Sequence, residues 1–180
     1  MKQIYNFVLS LGIIFASSSV ASDTLNNTDT RAFPKPNQKE LLCLAQNIYF
    51  ESRSDNLAGQ FAVADVVLNR VFDERYPNTI CGVIQEGPIS QWHLEKHGKK
   101  VPVRHKCQFS WYCDGKSDLP TDNDAWQKAQ LIAYQITVHR QFLGITEGST
   151  HYHAYYVDPS WAKRFQQIGS IGLHKFYRAE

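Results

Sequence analysis

The sequence predicts an α+β fold, a helical core that carries a small and irregular β-sheet. Residues 38–71 contain two segments with apolar residues at helical spacing, and residues 122–143 contain a third. Glycine and proline interrupt the stretch from Glu86 to Leu119, which is typical of turns and short strands. Residues 151–157 alternate in the manner of a strand.

The first helix is predicted to begin at Asn37, whose side chain can cap it, with Glu40 placed to return the hydrogen bond. Small and apolar residues form its inner face: Leu41, Leu44, Ala45, Ile48 and Ser52. Glu51 lies three residues after Ile48 and continues the edge of that face. We therefore expect the Glu51 carboxyl beside the core rather than in open water.

The second helix is predicted over residues 57–71, with Asp55 or Asn56 as its cap. It is apolar almost all round, which indicates a central and buried helix. Three polar residues interrupt it: Asp65, Asn69 and Arg70. We interpret them as making buried hydrogen bonds that orient neighbouring segments. A short helical piece over residues 80–84 follows.

The remaining elements are less regular. Residues 101–104 and 108–111 are predicted to be strands of the small sheet. Asp122 or Asp124 is predicted to open the third long helix, and Gly144 to end it.

The first 21 residues have the layout of a secretory signal peptide. A basic start precedes an apolar run over residues 4–16, and the small residues Ser19 and Ala21 suit a cleavage site. The run is shorter than the ~20 residues that span a bilayer, so we expect no stable membrane insertion after cleavage. The alternative is an uncleaved N-terminal anchor. Export predicts a periplasmic or secreted protein.

Polar residues and prolines over 22–37 indicate a disordered lead-in, which leaves one domain over 38–180. Signal cleavage removes one of 19 basic residues and none of the 17 acidic ones, so the mature chain has a net charge of +1. The net charge is close to zero, and the basic residues do not cluster into a stripe that could follow phosphates. We therefore predict no nucleic-acid partner.

All four cysteines follow the signal, and an even count in an exported chain predicts two disulfides. Three pairings are possible. We favour Cys107 with Cys113 as a tight loop, and therefore Cys43 with Cys81, a loop worth ~4 kcal/mol in the loop-entropy model. The alternative is a four-thiolate zinc site, but the sequence has no Cys-x-x-Cys pair.

Glu51 is the candidate catalytic acid. Its neighbours Tyr49 and Phe50 are aromatic, and partial burial disfavours the charged form of a carboxyl. Such a carboxyl stays protonated near neutral pH and can act as a general acid. The alternative is a solvated glutamate, or one that pairs with Arg53.

Six residues are candidates to line a ligand groove: Gln108, Ser110, Tyr152, His153, Tyr155 and His174. The first two lie in a loop that we expect a disulfide to pin, and the tyrosines could stack on sugars or pack in the core. His151 and His153 would point the same way on a strand. With His174 they could instead form a three-histidine zinc site, which would suit an amidase.

From about residue 40 the chain carries six distinctive blocks in order: Cys43–Arg53, Gly59–Val71, Pro77–Ile84, Cys107–Gly115, Thr150–His153 and Ile171–Tyr177. Together they resemble the SleB/CwlJ-type cell wall hydrolases, which include the spore-cortex-lytic enzymes and many proteins of Gram-negative bacteria. The chain is most similar to the cysteine-containing Gram-negative branch.

The resemblance implies a lysozyme-like, lytic-transglycosylase-like catalytic domain over residues 38–180, with peptidoglycan as its partner and no cofactor or metal. The family's key glutamate falls on Glu51, and the Glu51-Ser52 pair is similar to the Glu-Ser of lytic transglycosylases. The six groove candidates are then expected to bind substrate. Protein partners stay unknown.

These residues lead to one hypothesis and three alternatives. Glu51 alone would protonate the glycosidic oxygen and then remove a proton from the muramic C6 hydroxyl, which leaves a 1,6-anhydro end. Two-carboxylate hydrolysis would need a second acid, for which Asp55, Glu86 and Asp114 are candidates. A zinc-dependent N-acetylmuramoyl-L-alanine amidase is the second alternative, and a non-catalytic wall-binding module is the third.

Overall fold

The computed structural model describes residues 36–179. The predicted signal peptide and nearly all of the predicted lead-in lie outside these residues. The helices are α1 (Gln38–Ser52), α2 (Leu57–Phe72), α3 (Ile80–Ile84), α4 (Gln91–His97) and α5 (Asn123–Val138). The strands are β1 (His151–Ala154), β2 (Gln166–Ile171) and β3 (His174–Arg178). The strands form one antiparallel sheet in the order β1-β3-β2, so the predicted α+β fold is confirmed.

Helix α1 begins as predicted, because the Asn37 side chain accepts a hydrogen bond from the Glu40 backbone N–H at 3.0 Å. Glu40 does not return that bond. Its carboxylate accepts from the backbone N–H of Cys81 at 3.2 Å and so connects α1 to α3. The predicted reciprocal cap is therefore wrong, and a tertiary contact replaces it.

Helix α2 lies at the centre of the core, as its sequence predicts. It packs against α1, α3 and α5, and large apolar side chains fill the space between these helices: Leu44, Ile48, Phe61, Leu68, Ile80, Ile84, Ile132 and Ile136. Each is almost completely buried. Burial on this scale stabilises the fold by ~1.5–3 kcal/mol for each large side chain.

Both predicted disulfides are present. Cys43–Cys81 joins α1 to α3 across 38 positions, and Cys107–Cys113 closes a short loop beside the helical core. None of the cysteines in the described part of the chain is free. The long bridge removes chain entropy from the unfolded state, and the short one fixes the loop that carries Gln108.

The polar residues of α2 hold the segment that leads into β1. The Asp65 carboxylate accepts from the backbone N–H of Gly144 at 2.7 Å and from that of Thr146 at 3.0 Å. The Asn69 amide donates to the carbonyl of Ser149 at 3.0 Å. The orienting hydrogen bonds that the sequence predicts for this helix are therefore confirmed.

One predicted helix end and two predicted strands are wrong. Helix α5 ends at Val138 rather than at Gly144, because Asp65 binds the backbone of Gly144 and pulls residues 139–149 into a series of turns. The predicted strands over 101–104 and 108–111 are absent: there are an isolated bridge at Pro102 and a 3₁₀ helix at Ser110–Cys113. The Cys107–Cys113 loop is too short for an extended strand.

In residues 36–179 no helix is long and apolar enough to cross a bilayer.

Candidate active site

Glu51 lies in the last turn of α1 and is half-buried. Its carboxylate oxygen Oε2 accepts a hydrogen bond from the Tyr152 hydroxyl at 3.1 Å. Burial raises the pKa of Glu51, while the Tyr152 hydrogen bond and the charge of Arg70 oppose that rise. The carboxyl is thus disposed to hold a proton at a higher pH than an exposed glutamate.

The residues beside Glu51 do not compete for its carboxylate. Phe50 stacks on Trp111 with ring centroids 4.8 Å apart, which fixes the end of α1. Arg53 turns away, since its Nη1 donates to the Tyr49 carbonyl at 3.4 Å and its guanidinium covers the Tyr49 ring. The predicted alternative of a Glu51–Arg53 ion pair is therefore wrong.

Tyr152 reaches Glu51 from the face of the sheet that packs on the helices. Its ring contacts His174 and Phe176, with centroids 5.2 Å and 5.8 Å away. Burial raises the pKa of Tyr152 well above its ordinary value, so the phenol stays protonated and remains a donor.

Tyr152 also lines a cleft of ≈ 380 Å³. The other lining residues come from α2, the disulfide loop, β1 and the segment before β2: Arg70, Gln108, His151, Trp161, Arg164 and Phe165. One phenol therefore bounds the cleft and hydrogen-bonds the candidate acid, which places the acid next to a space that a ligand can enter.

Arg70 is the buried cation of this cleft. Its Nε donates to the Thr150 carbonyl at 2.7 Å. With the Gln108 amide oxygen turned toward it, both Nη1 and Nη2 donate to that oxygen at 3.0 Å. The guanidinium also lies 5.3 Å from the ring centroids of Tyr76 and Phe109. Gln108, a predicted groove residue, thus lies in the cleft and positions Arg70.

His151 lines the cleft as a neutral ring. Burial and the nearby charges of Arg70 and Arg75 lower the pKa of His151 to about 4. Its ring lies 4.4 Å from Phe165 and 5.5 Å from Trp161, measured between centroids. At neutral pH the ring therefore adds aromatic surface without charge.

The other two predicted zinc ligands, His153 and His174, are buried, and neither lines the cleft. His153 Nε2 lies 2.9 Å from the Tyr177 hydroxyl. His174 Nδ1 lies 3.1 Å from Asp55 Oδ2, and burial lowers the pKa of His174 against the opposing effect of Asp55. In the strand register His153 lies opposite Lys175, whereas His174 lies opposite Ala154.

This register separates the predicted zinc ligands. Side chains alternate across a sheet, so His151 and His153 share one face and His174 belongs to the other. Within residues 36–179 no group of three or more histidine, cysteine, aspartate or glutamate side chains is placed to hold a metal ion. The three histidines therefore do not form a common ligand set.

Two predicted groove residues lie elsewhere on the surface. Ser110 is exposed at the start of the 3₁₀ helix, outside the cleft lining. Tyr155 is 58% exposed in the turn after β1, edge-on to Tyr156. Neither lines the cleft that Tyr152 bounds.

The three candidate second acids differ in how far their carboxylates are already engaged in hydrogen bonds. Asp55 is buried and accepts from the backbone N–H of Asn56 at 2.7 Å and that of Leu173 at 2.9 Å, besides its contact with His174. Asp114 bonds the backbone of Lys116. Glu86 is half-buried, and its charge acts on Arg70. Glu86 is therefore the candidate with the freest carboxylate.

Changing Tyr152 to phenylalanine is expected to raise the pKa of Glu51. The Tyr152 hydroxyl stabilises the carboxylate form, so its removal favours the protonated form. The alkaline limb of the kcat/KM profile should move to higher pH in the variant. A Tyr155→Phe variant, altered at an exposed tyrosine, should keep the wild-type profile. An alkaline limb that stays in place in Tyr152→Phe would contradict this coupling.

The fold and the site together place the chain among the cell wall hydrolases. The sequence profile of the family described as Cell Wall Hydrolase matches residues 54–177. The chain belongs to that family. Glu51 lies just ahead of the matched range.

Known proteins agree with this assignment. A spore cortex-lytic enzyme of Bacillus cereus is 47% identical over 49 residues, which cover 27% of this chain and 19% of that protein. One of Oceanobacillus iheyensis is 34% identical over 76 residues, covering 39% of this chain and 28% of that protein. The chain thus matches less than a third of the length of either relative.

Solved structures show the same fold. The catalytic domain of the germination-specific lytic transglycosylase SleB from Bacillus anthracis is 28% identical, with a TM-score of 0.57. The comparison covers 81% of this chain and all of that domain. The catalytic domain of Bacillus cereus SleB gives a TM-score of 0.51 at 25% identity, over 81% of this chain and 94% of that one.

Proposed function

We propose that this chain cleaves the glycan strands of peptidoglycan by a lytic transglycosylase reaction, with Glu51 as the only acid and base. The observation that carries the proposal is the half-buried Glu51 carboxyl, whose pKa is raised and which Tyr152 connects to the cleft. The similarity to the catalytic domain of a lytic transglycosylase supports the reaction type.

The reaction takes two proton transfers. Glu51 first donates its proton to the glycosidic oxygen between N-acetylmuramic acid and N-acetylglucosamine, and the C1–O bond breaks toward an oxocarbenium-like state. The Glu51 carboxylate then removes the proton of the muramic C6 hydroxyl, and that oxygen bonds to C1. Glu51 is protonated again, water is not consumed, and the product ends in a 1,6-anhydro ring.

Tyr152 positions the acid during these steps. In the structure its hydroxyl donates to Oε2 of Glu51. In this proposal the other oxygen, Oε1, carries the proton that passes to the glycosidic oxygen. The Tyr152 hydrogen bond stabilises the carboxylate that forms after the first transfer. In this proposal residues 38–180 are the catalytic domain, no cofactor takes part, and the signal over residues 1–21 delivers the enzyme to the periplasm or outside the cell.

Two-carboxylate hydrolysis is the second candidate, because Glu86 is half-buried and close enough to Arg70 to affect its pKa. It would deliver water to C1 and leave a reducing end. The zinc amidase reaction has less support, since the strand register separates its three histidines.

Mass spectrometry of sacculi digested in heavy-oxygen water distinguishes these reactions. The transglycosylase reaction predicts glycan fragments that are lighter by one water and carry no heavy oxygen. Hydrolysis predicts reducing ends with one heavy oxygen, and an amidase would release peptides from uncut glycan. Labelled reducing ends without anhydro sugars would refute the transglycosylase reaction.

A further inference from the structure

Among residues 36–179, two cations and no acidic residue line the cleft beside Glu51. Arg164 closes the 3₁₀ helix Ala162–Arg164 and is exposed. Within residues 36–179 its guanidinium has no hydrogen-bond or ion-pair partner. A guanidinium that lines a cleft with all five N–H donors unused is available to a ligand.

Arg70, the second cation, is buried without a carboxylate in direct contact. It is 5% exposed, and in the described part of the chain it forms no ion pair. Its bonds to Thr150 and Gln108 use three of its five N–H donors. Because an unpaired buried charge is costly, a bound anion would offset part of that cost.

Three aromatic rings line the cleft together with Arg164. Trp161 and Phe165 flank Arg164 in sequence, and their ring centroids lie 5.8 Å apart. His151 is the third ring. Aromatic faces of this kind pack against the apolar face of a sugar ring or a short aliphatic group, whereas the arginines suit a planar carboxylate.

We propose that this cleft binds a carboxylate of the substrate, and that Arg164 selects glycan that carries it. The inference rests on the proposed function, because it treats the cleft beside Glu51 as the substrate site. In peptidoglycan the carboxylate has two sources: the lactyl group of a muramic residue without peptide, and the acidic residues of a stem peptide. Neutral glycan such as chitin fragments lacks both.

The test is binding to a Glu51→Gln background, in which ligands are not cut. The probes are a glucosaminyl-muramyl disaccharide with its stem peptide, the same disaccharide with a free lactyl group, and the methyl ester of each. Adding Arg164→Gln should weaken binding of at least one acid about tenfold and leave its ester unchanged, since one charge-assisted contact is lost. Arg164→Lys should lose less.

Lys163→Gln is the matched control. Lys163 precedes Arg164 in the same 3₁₀ helix and is exposed, but it does not line the cleft. Weaker binding of the free lactyl acid alone would identify the lactyl group, and weaker binding of the peptide-bearing acid alone would identify the stem. Equal effects of Arg164→Gln and Lys163→Gln on every probe, or no binding of any acid, would overturn the inference.

Binding and cleavage are measured separately, so the two proposals can fail independently. If acids and esters bind alike while wild-type digests still contain anhydro ends, only the carboxylate selection is wrong. If Arg164 discriminates acids from esters while digests contain no anhydro ends, the reaction assigned to Glu51 is wrong and the cleft still binds carboxylates.

Discussion

Replacing Glu51 with glutamine is expected to lower the rate of glycan cleavage roughly 10³-fold, the scale of a lost general acid. Glutamine keeps the size of the side chain and can still accept the Tyr152 hydrogen bond, but it has no proton to donate to the glycosidic oxygen. Fragment release from purified sacculi measures the effect. Because the chemical step is lost rather than binding, kcat should fall far more than KM rises.

Thermal unfolding measured across a range of pH checks that Glu51→Gln is folded. Burial raises the pKa of Glu51 in the folded protein, so the native state binds more protons than the unfolded chain between the two pKa values. Wild-type stability therefore falls as pH rises through that window. Glu51→Gln should unfold at a higher temperature than wild type at mildly alkaline pH. The difference should shrink as the pH falls through that window and be smallest below about pH 4.3, where the carboxyl is protonated in both states.

The candidate second acids supply the matched controls. Asp114→Asn should retain cleavage, since Asp114 bonds Lys116 and lies outside the cleft lining. Glu86→Gln should also retain it if Glu51 acts alone. A loss in Glu86→Gln comparable with that in Glu51→Gln would instead support the two-carboxylate reaction. Full activity in Glu51→Gln would refute the single-glutamate assignment.

Local chemistry explains why the helices were predictable. The caps of α1 and α2 use side chains adjacent to the helices they start: Asn37 accepts from Glu40, and Asn56 accepts from Gly59 at 2.9 Å. Asp122 caps α5 in the same way. A cap needs only a few consecutive residues, so its signal is present in the sequence itself.

The sheet was harder to predict because its partners are distant in sequence. Strand β2 was not predicted: only two of the six residues in its run Gln166–Ile171 are large and apolar, and the run contains Gly169. It becomes a strand by pairing with β3. The predicted strand at 108–111 is instead a 3₁₀ helix, since the disulfide at Cys107 decides its conformation. Strand propensity depends on the partner more than helix propensity does.

The candidate site was likewise predictable only where residues close in sequence determine it. The position of Glu51 at the edge of the core followed from helical spacing, whereas its hydrogen bond to Tyr152 crosses 101 positions of sequence. The sequence indicated Arg70 only as an orienting residue, and it did not identify Trp161 or Arg164 as cleft residues. A single arginine in the largely apolar helix α2 indicates a buried cation. It does not specify which loop of the chain packs against that arginine.

Replacing Asp65 with alanine is expected to lower the free energy of unfolding by about 3–5 kcal/mol, the cost of breaking a buried polar cluster. Asp65 is fully buried. Its carboxylate accepts from the backbone N–H groups of Gly144 and Thr146, the Thr146 hydroxyl and the Asn69 amide. Alanine would leave these donors without their acceptor and would add a cavity.

Urea denaturation followed by circular dichroism measures this loss, and Asp73→Ala is the matched control. Asp73 follows α2 and pairs with Arg75 near the surface, so its removal should cost at most ~1 kcal/mol. Asp65→Asn should lie between the two, because its amide oxygen can still accept from part of the cluster. A loss in Asp65→Ala no larger than that in Asp73→Ala would contradict the prediction.

Asp65→Ala is also expected to change the pH dependence of activity, which the loss of an ordinary core contact would not do. Asp65 fixes the turns that lead to β1, and Arg70 binds the carbonyl of Thr150 just before Tyr152. Loss of the Asp65 bonds should therefore loosen the strand that supports the Tyr152–Glu51 contact. Under conditions where Asp65→Ala is still folded, its alkaline activity limb should move toward that of Tyr152→Phe, whereas a lost core contact elsewhere would leave the limb unchanged.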